Sequence, residues 1–333
     1  VNALRLGIVG CGAISEWHAR ALKKAERTTV VACIDPVAER AEHLSSLTGG
    51  APCATLAEGV ARGLDAVALL VPHHLHERLA LEALNLGLHV ALEKPMSTDL
   101  ESCERILSAA AGHPNSVFML TENAQYWPEV LAARDLIDSG AIGEVFTARA
   151  WHHHGPPKEF YPDNDSWRFS AEASGGGVAL DTGSHWIRPL RMMLGEIEEV
   201  VAITERLWDE MEGESLVRSL LRFQNGSSAS FDVILAKGAV ALQPHFQLSG
   251  TKGEIVITVL GEVLLFDGKD WQGTCVHRGN YMDSYAGVWR DFEAAVLDGK
   301  ELDADARYSL GEVRVAQAIV RSGETRQWEK VWR

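Results

Sequence analysis

RLGIVGCGAISEWHARALKK, residues 5–24, reads as a strand, a tight turn and a helix in succession. Apolar residues run from Leu4 to Val9, and glycines stand at 7, 10 and 12. Ile14, Trp17, Ala21 and Leu22 then fall roughly on one side of a helix. Gly10 and Gly12 form a GxG turn, in which the missing side chains let the backbone bend sharply and come close to a bound anion. Ser15 stands where a third glycine is usual. That position needs a small residue for close packing of helix on strand, and serine meets the need.

The next apolar run, TVVACID at 29–35, ends on Asp35, 23 residues beyond Gly12. A carboxylate there can accept hydrogen bonds from the adenosine ribose hydroxyls and would repel a 2'-phosphate. The order strand, glycine turn, helix, strand, acid predicts a dinucleotide site that favours NAD over NADP. Gly10, Gly12, Ala13, Ile14 and Asp35 are its expected contacts.

Residues 64–95, LDAVALLVPHHLHERLALEALNLGLHVALEKP, repeat the alternation. A strand is expected over 65–71, a helix over 75–86 capped by Gly87, and a strand over 88–92. Short apolar strands alternating with helices imply a parallel sheet covered on both faces. Ligands of such sheets gather outside the carboxyl ends of the strands, which is where Glu93, Lys94 and Pro95 fall. Pro72, His73 and His76 follow the preceding strand and are read as cofactor-loop residues. No carboxylate or cysteine stands at ligand spacing from these histidines, so no metal site is expected.

Beyond a helix beginning near Thr98 the pattern changes. PEVLAARDLIDSG is a helix ended by Gly140, and strand-like runs then dominate: EVFTARAWHH, EVVAITERL, SLVRSLLRFQ, SASFDVILA, HFQLSG, GEIVITVLG and EVLLFDG. Their near-alternation of polar and apolar residues predicts an open, mainly antiparallel sheet with one face wetted or used as an interface. The fold class is therefore an α/β N-terminal Rossmann domain plus an α+β C-terminal domain with that large sheet. The expected division is 1–121 for the dinucleotide and 122–333 for substrate and oligomer contacts. The two amphipathic C-terminal helices are expected to pack back on the first domain.

One long helix, from near Gly176 to Leu194, is expected to carry Asp181 and His185 four apart on one face. The glycines at 175–177 permit close approach of backbone to another element or to a ligand. If that face meets Lys94, the three residues suit oxidation of an alcohol. His185 takes or returns the hydroxyl proton, Asp181 orients the ring or binds a second hydroxyl, and Lys94 stabilises alkoxide charge. The loop GPPKEFYPDNDSWRF holds Asn164, Trp167 and Arg168. Trp151, Tyr161, Trp167 and Phe169 can wall a sugar-like ring, with His153 and Arg168 as polar contacts. The histidines at 152–154 alternate across a strand and cannot all face one metal.

The chain's 333 residues carry 46 acidic against 31 basic side chains, a formal charge of -15, which disfavours nucleic acid and anionic membranes as partners. Five dispersed cysteines, without CxxC, read as reduced thiols. With no cationic leader and no apolar stretch near 18 residues, a soluble cytoplasmic protein is expected.

These motifs resemble those of the oxidoreductase family named for glucose-fructose oxidoreductase and inositol 2-dehydrogenase, over nearly the whole chain. The matching stretches are GIVGCGAIS at 7–15, Asp35, VPHHLH at 71–76, EKP at 93–95, LIDSGAIGEV at 136–145 and GGGVALDTGSH at 175–185. The resemblance puts Lys94, Asp181 and His185 on the family's catalytic positions and adds Asn123 and Tyr126 to the substrate contacts. It implies NAD-dependent chemistry on a secondary hydroxyl or ketone of a sugar, sugar derivative or cyclitol. It also implies a homodimer or homotetramer formed through the C-terminal sheet. Redox-assisted glycoside hydrolysis with bound NAD and a non-catalytic dinucleotide-binding regulator are the alternatives. Three departures stand out: His73 replaces an asparagine, NAQYWP at 123–128 lacks a basic pair, and Arg188 replaces an acid three residues after His185. The last suggests either an acidic substrate or an interface salt bridge.

Overall fold

In the computed structural model, described for residues 3–156, 158, 160–161, 166–237, 244–269, 271–278 and 280–332, the apolar runs become buried strands. They are β1 (Leu4–Val9), β2 (Thr28–Ile34), β3 (Ala51–Cys53), β4 (Ala66–Leu69), β5 (His89–Leu92) and β6 (Phe118–Leu120). The intervening helices are α1 (Ala13–Leu22), α2 (Ala38–Thr48), α3 (Leu56–Val60), α4 (His76–Asn85) and α5 (Leu100–Gly112). Every strand pair is parallel, in the order β3-β2-β1-β4-β5-β6. Leu6, Ile8, Val67, Leu69, Val90 and Leu92 have no exposed surface, as a sheet covered on both faces requires; each such side chain contributes about 1.5–3 kcal/mol. The strand order reverses beside β1, and the carboxyl ends of β1 and β4 flank that switch point.

The chain divides into two units, Val1–Glu122 with Tyr285–Leu310, and Asn123–Ser284 with Gly311–Arg333. The second is built on α6 (Pro128–Asp138), β7 (Val145–His154), α7 (Ala171–Ser174), α8 (Ser184–Leu194), β8 (Ile197–Glu205), β9 (Leu216–Phe223), β10 (Ser228–Leu235), β11 (Phe246–Gly250), β12 (Glu254–Ile257), β13 (Glu262–Phe266) and β14 (Trp271–Arg278). Two helices follow, α9 (Tyr281–Asp298) and α10 (Leu310–Thr325), and then β15 (Glu329–Lys330). Nine strands form one sheet in the order β14-β13-β12-β11-β7-β10-β9-β8-β15. β7 and β10 run parallel and the other pairs are antiparallel. The edge strands β14 and β15 went unread in the sequence. β15 is two residues long, too short to carry a periodicity. Alternation is clear in β9, where Val217, Leu221 and Phe223 are buried while Leu220 is 53% exposed.

The long helix expected from near Gly176 to Leu194 is corrected to a short α7, a turn and then α8 from Ser184. The glycines at 175–177 account for the break. Gly175 caps α7 at φ 80°, and a Cβ on Gly177 would lie 1.9 Å from the Glu214 carbonyl oxygen. The Glu214 carboxylate accepts the amides of Gly177 and Ala179 at 3.2 and 2.9 Å. Backbone is thus pressed against backbone here, with a carboxylate satisfying amides that a continuous helix would bond internally.

Candidate active site

In the first unit, Gly10 adopts φ +89°, and a Cβ there would sit 2.4 Å from the Leu70 carbonyl oxygen. Glycine is therefore required on steric grounds. Gly12 differs: it is the N-cap of α1, no side chain caps it, and a Cβ added to it would meet nothing within 4 Å. The ten-residue α1 thus points its uncapped amides past an open cradle, the arrangement that binds a pyrophosphate. Ser15 is buried and donates to the Gly12 carbonyl at 2.6 Å, which explains why a small hydroxyl serves at the third fingerprint position.

Asp35, 6% exposed, accepts the Cys11 amide on Oδ2 and the Val37 amide on Oδ1, each at 2.9 Å. These bonds tie the end of β2 to the glycine turn and leave acceptor capacity on both oxygens for ribose hydroxyls, since a carboxylate offers about four lone-pair sites. Burial, reinforced by Cys33 and Asp35, pushes the Cys11 thiol up to about 12, so it stays neutral beside this site. The residues present fit a dinucleotide.

The opening of the β5 loop is similarly determined. Glu93 is buried, its Oε1 lies 2.9 Å from His18 Nε2 of α1, and its Oε2 accepts the Lys94 amide at 2.7 Å. His18 is fully buried and packs edge-on to Tyr285 and Trp289, at 5.1 and 5.6 Å between ring centroids. Glu93 is thus an anchor that fixes the Lys94 backbone to the cofactor helix. Lys94–Pro95 is a cis peptide, and Lys94 is half-buried. His76 turns its two ring nitrogens to the carbonyls of Val71 and Pro95, each at 2.9 Å, and burial lowers its pKa. That staples the Pro72 loop to the exit of β5. His73 is 2% exposed, with its ring centroid 5.6 Å from that of His76.

In the second unit the structure brings Arg168 and Asp181 together. Arg168 Nε donates to Asp181 Oδ2 at 3.0 Å, and the guanidinium lies over Trp167 with its carbon 4.3 Å from the ring centroid. Tyr161 and Phe169 pack on each other at 5.7 Å and on Trp208 at 6.2 and 5.8 Å. Asn164 lies outside the described residues. His185 occupies the first turn of α8, half-buried, with the Trp127 ring 6.3 Å away and inclined by 30°. Asn123 is buried and donates to Ser284 Oγ at 2.9 Å; Tyr126 is buried in the same 3-10 turn.

Trp151 and His153 fall on the sheet face away from α8, lining a hollow with Val201, Ile203, Arg218 and Leu220. The strand period of two puts their neighbours on the other face: His152 stacks on Trp186 of α8 at 3.8 Å, and His154 lies 4.3 Å from His152. His152 and His154 thus lie on the α8 face of the sheet, and His153 on the other. The alternation was legible in the sequence, but the direction of the pleat was not.

Arg188 is neither exposed nor at a surface. Its side chain is 1% accessible, and its Nε and Nη2 donate to the two oxygens of Glu312 of α10 at 3.1 and 2.8 Å. Its Nη1 donates to Gln125 Oε1 at 3.1 Å. Arg191 also binds Glu312 and pairs with Glu196. Gln125 and Arg188, from two of the stretches that depart from the family pattern, are thus bonded to each other inside this unit. Among the described residues, no group of three or more histidine, cysteine or acidic side chains is arranged to hold a metal. No helix among them is long and apolar enough to cross a membrane.

Residues 4–121 match the family described as "Oxidoreductase family, NAD-binding Rossmann fold", and residues 130–256 match the "GFO/IDH/MocA C-terminal domain". The chain is 33% identical over 332 residues to dTDP-3,4-didehydro-2,6-dideoxy-alpha-D-glucose 3-reductase of Actinomadura kijaniata, covering 96% of this chain and 95% of that one. It is 31% identical over 258 residues to 1,5-anhydro-D-fructose reductase of Ensifer adhaerens, covering 76% and 75%. The crystal structure of an oxidoreductase from Thermotoga maritima superposes with a TM-score of 0.87 at 27% identity, covering 99% of both chains.

Proposed function

The chain belongs to the GFO/IDH/MocA oxidoreductases, and from that premise we propose that it moves hydride between NAD and a secondary ring hydroxyl or ketone of a sugar, sugar derivative or cyclitol. The two relatives named above are reductases of sugar-derived ketones by name, which supports that substrate class. The observation that carries the reading lies within the first unit. The open Gly12 cradle, Asp35 and Lys94 all stand at the carboxyl ends of strands of one parallel sheet.

NAD supplies the hydride acceptor, and the chain's own groups handle the proton. His185 removes it from the reacting hydroxyl, or returns it in the reverse direction; Lys94 donates to the reacting oxygen as alkoxide charge grows. Asp181, which also carries the Arg168 guanidinium, orients substrate or imidazole. Asp35 supports NAD over NADP, because a 2'-phosphate would face its carboxylate. We also propose that the exposed sheet face bearing Ile203 and Leu220 joins copies of the chain as a homodimer or homotetramer; light scattering at micromolar concentration tests that.

The activity test is absorbance at 340 nm with NAD and a polyol panel, or NADH and ketosugars. Lys94→Ala should lower turnover by about 10²–10³ while leaving the NAD dissociation constant within about threefold. Equal turnover removes Lys94 from the chemistry. Aglycone release from glycosides without NADH accumulation would replace the dehydrogenase reading with redox-assisted hydrolysis.

A further inference from the structure

Two buried histidines of the first unit bracket the backbone of Lys94. His18, in the second turn of α1, is fully buried, and its Nε2 lies 2.9 Å from Glu93 Oε1. The other oxygen of that carboxylate accepts the Lys94 amide at 2.7 Å. Beyond the lysine, a ring nitrogen of His76 lies 2.9 Å from the Pro95 carbonyl oxygen. The His76 contact joins two loops, whereas the His18 contact joins the lysine to the cofactor helix. Gly12, the uncapped start of α1, stands six residues before His18, about 9 Å along the axis. One rigid helix therefore presents amides to a pyrophosphate at its start and an imidazole to the catalytic strand end less than two turns later.

The surroundings of His18 settle its orientation and its tautomer. Its ring is edge-on to Tyr285 and Trp289 of α9, at 5.1 and 5.6 Å, and both of those rings are buried. Nδ1 is buried without a hydrogen-bond partner, while Nε2 faces the carboxylate. A proton on Nδ1 would be sealed in with nothing to accept it, so the hydrogen bonds assign the Nε2–H form. Nε2 then donates to Glu93, and each carboxylate oxygen has its own donor: α1 on Oε1 and the Lys94 amide on Oε2. A carboxylate is planar. Holding one oxygen against α1 therefore fixes the direction from which the other meets the amide.

Resting on the dehydrogenase reading, we infer that His18 is a positioning residue for the reaction: through Glu93 it locks the Lys94 amide to the cofactor helix, and the lysine is aimed only while this imidazole donates. His18 acts through Glu93 and contacts no reacting atom. Without its donor, one oxygen of a buried carboxylate is left unsatisfied and the group reorients, taking the peptide of Lys94 with it. The lysine then keeps its amine and loses its aim. The consequence falls on the chemical step, where a displacement of about 1 Å is costly. The Gly12 amides of α1 do not take part in the His18 bond, so NAD affinity is spared.

Two variants of the full chain test this. His18→Phe keeps an aromatic ring against Tyr285 and Trp289 and removes the donor, whereas His18→Gln sets an amide nitrogen close to the place of Nε2. In NAD-linked turnover His18→Phe should lower kcat about tenfold or more. Its NAD dissociation constant should stay within about threefold of the parent, and His18→Gln should recover kcat to within about threefold. Loss of kcat in both variants or in neither overturns the inference, and so does a loss explained by weaker NAD binding. A second readout needs no turnover: acetylation of Lys94 by acetic anhydride, followed by peptide mass spectrometry, with exposed Lys252 as the control. The Lys94 rate should change at least about threefold in His18→Phe and match the parent in His18→Gln. An unchanged rate in His18→Phe overturns the inference whether or not a substrate is found. A changed rate with no ring turned over supports the positioning and sinks the dehydrogenase reading. If His18→Phe does not fold, His18→Asn, whose shorter amide falls short of Glu93, replaces it with the same expectations.

Discussion

Replacing Glu312 by alanine should destabilise the second unit by about 3–5 kcal/mol, the cost of leaving a buried cation without its partner. Two guanidiniums depend on this carboxylate, and the side chains of Arg188 and Arg191 are each 1% accessible against 4% for Glu312. Arg191 retains Glu196, so the penalty falls mainly on Arg188, which loses both of its bonds to the carboxylate. Urea denaturation followed by tryptophan fluorescence reads the loss. With a urea dependence of about 3 kcal/mol per molar, the midpoint falls by roughly 1–1.7 M. Salt should alter this little, because a buried pair is poorly screened. The double variant Arg188→Met with Glu312→Leu removes both charges and should lie within about 2 kcal/mol of the parent. Turnover in the single variant should drop because α8 carries His185 one turn before Arg188, while NAD affinity, a property of the other unit, stays unchanged. A single variant within about 1 kcal/mol of the parent would refute the claim that this carboxylate holds the cluster together.

Gly10→Ala places a Cβ 2.4 Å from the Leu70 carbonyl at φ +89°, so NAD affinity measured by calorimetry should fall at least about tenfold; unchanged affinity would mean the turn relaxes freely. Asp35→Ser should move the ratio of NAD to NADP affinity toward NADP by about tenfold, and a constant ratio would clear Asp35 of cofactor selection. His245 has a folded pKa of about 4 against an ordinary 6.5, so the unfolded chain binds more protons between those values and stability falls as pH drops through that window. His152 and His154 act in the same direction. His245→Gln should therefore lose less stability than the parent between pH 7 and pH 5 in urea titrations, and an identical loss would show that this imidazole does not couple folding to acid.

Features carried by contiguous residues were readable in advance. Strand, glycine turn, helix and terminal acid occupy residues 4–35, and each follows from local sterics and periodicity. EKP could be placed at a strand end because an apolar run stops there. The late start of α8 was hidden because a distant carboxylate, Glu214, supplies the bonds that end the helical reading at Gly177. The partner of Arg188 was hidden for a related reason: Glu312 lies 124 residues away in sequence, and no local pattern announces a partner that far off.

The chain's linear order thus determined the dinucleotide fold, the acid that ends the second strand and the identities of the candidate proton-transfer groups, since these rest on backbone geometry within a few residues. The tertiary structure decided which histidines of β7 face α8, where Arg188 spends its charge and why Glu93 and His76 are anchors. Those outcomes depend on pleat direction and on partners brought from remote elements, where burial raises the cost of any polar group left alone and so selects among assignments that local sequence leaves equal.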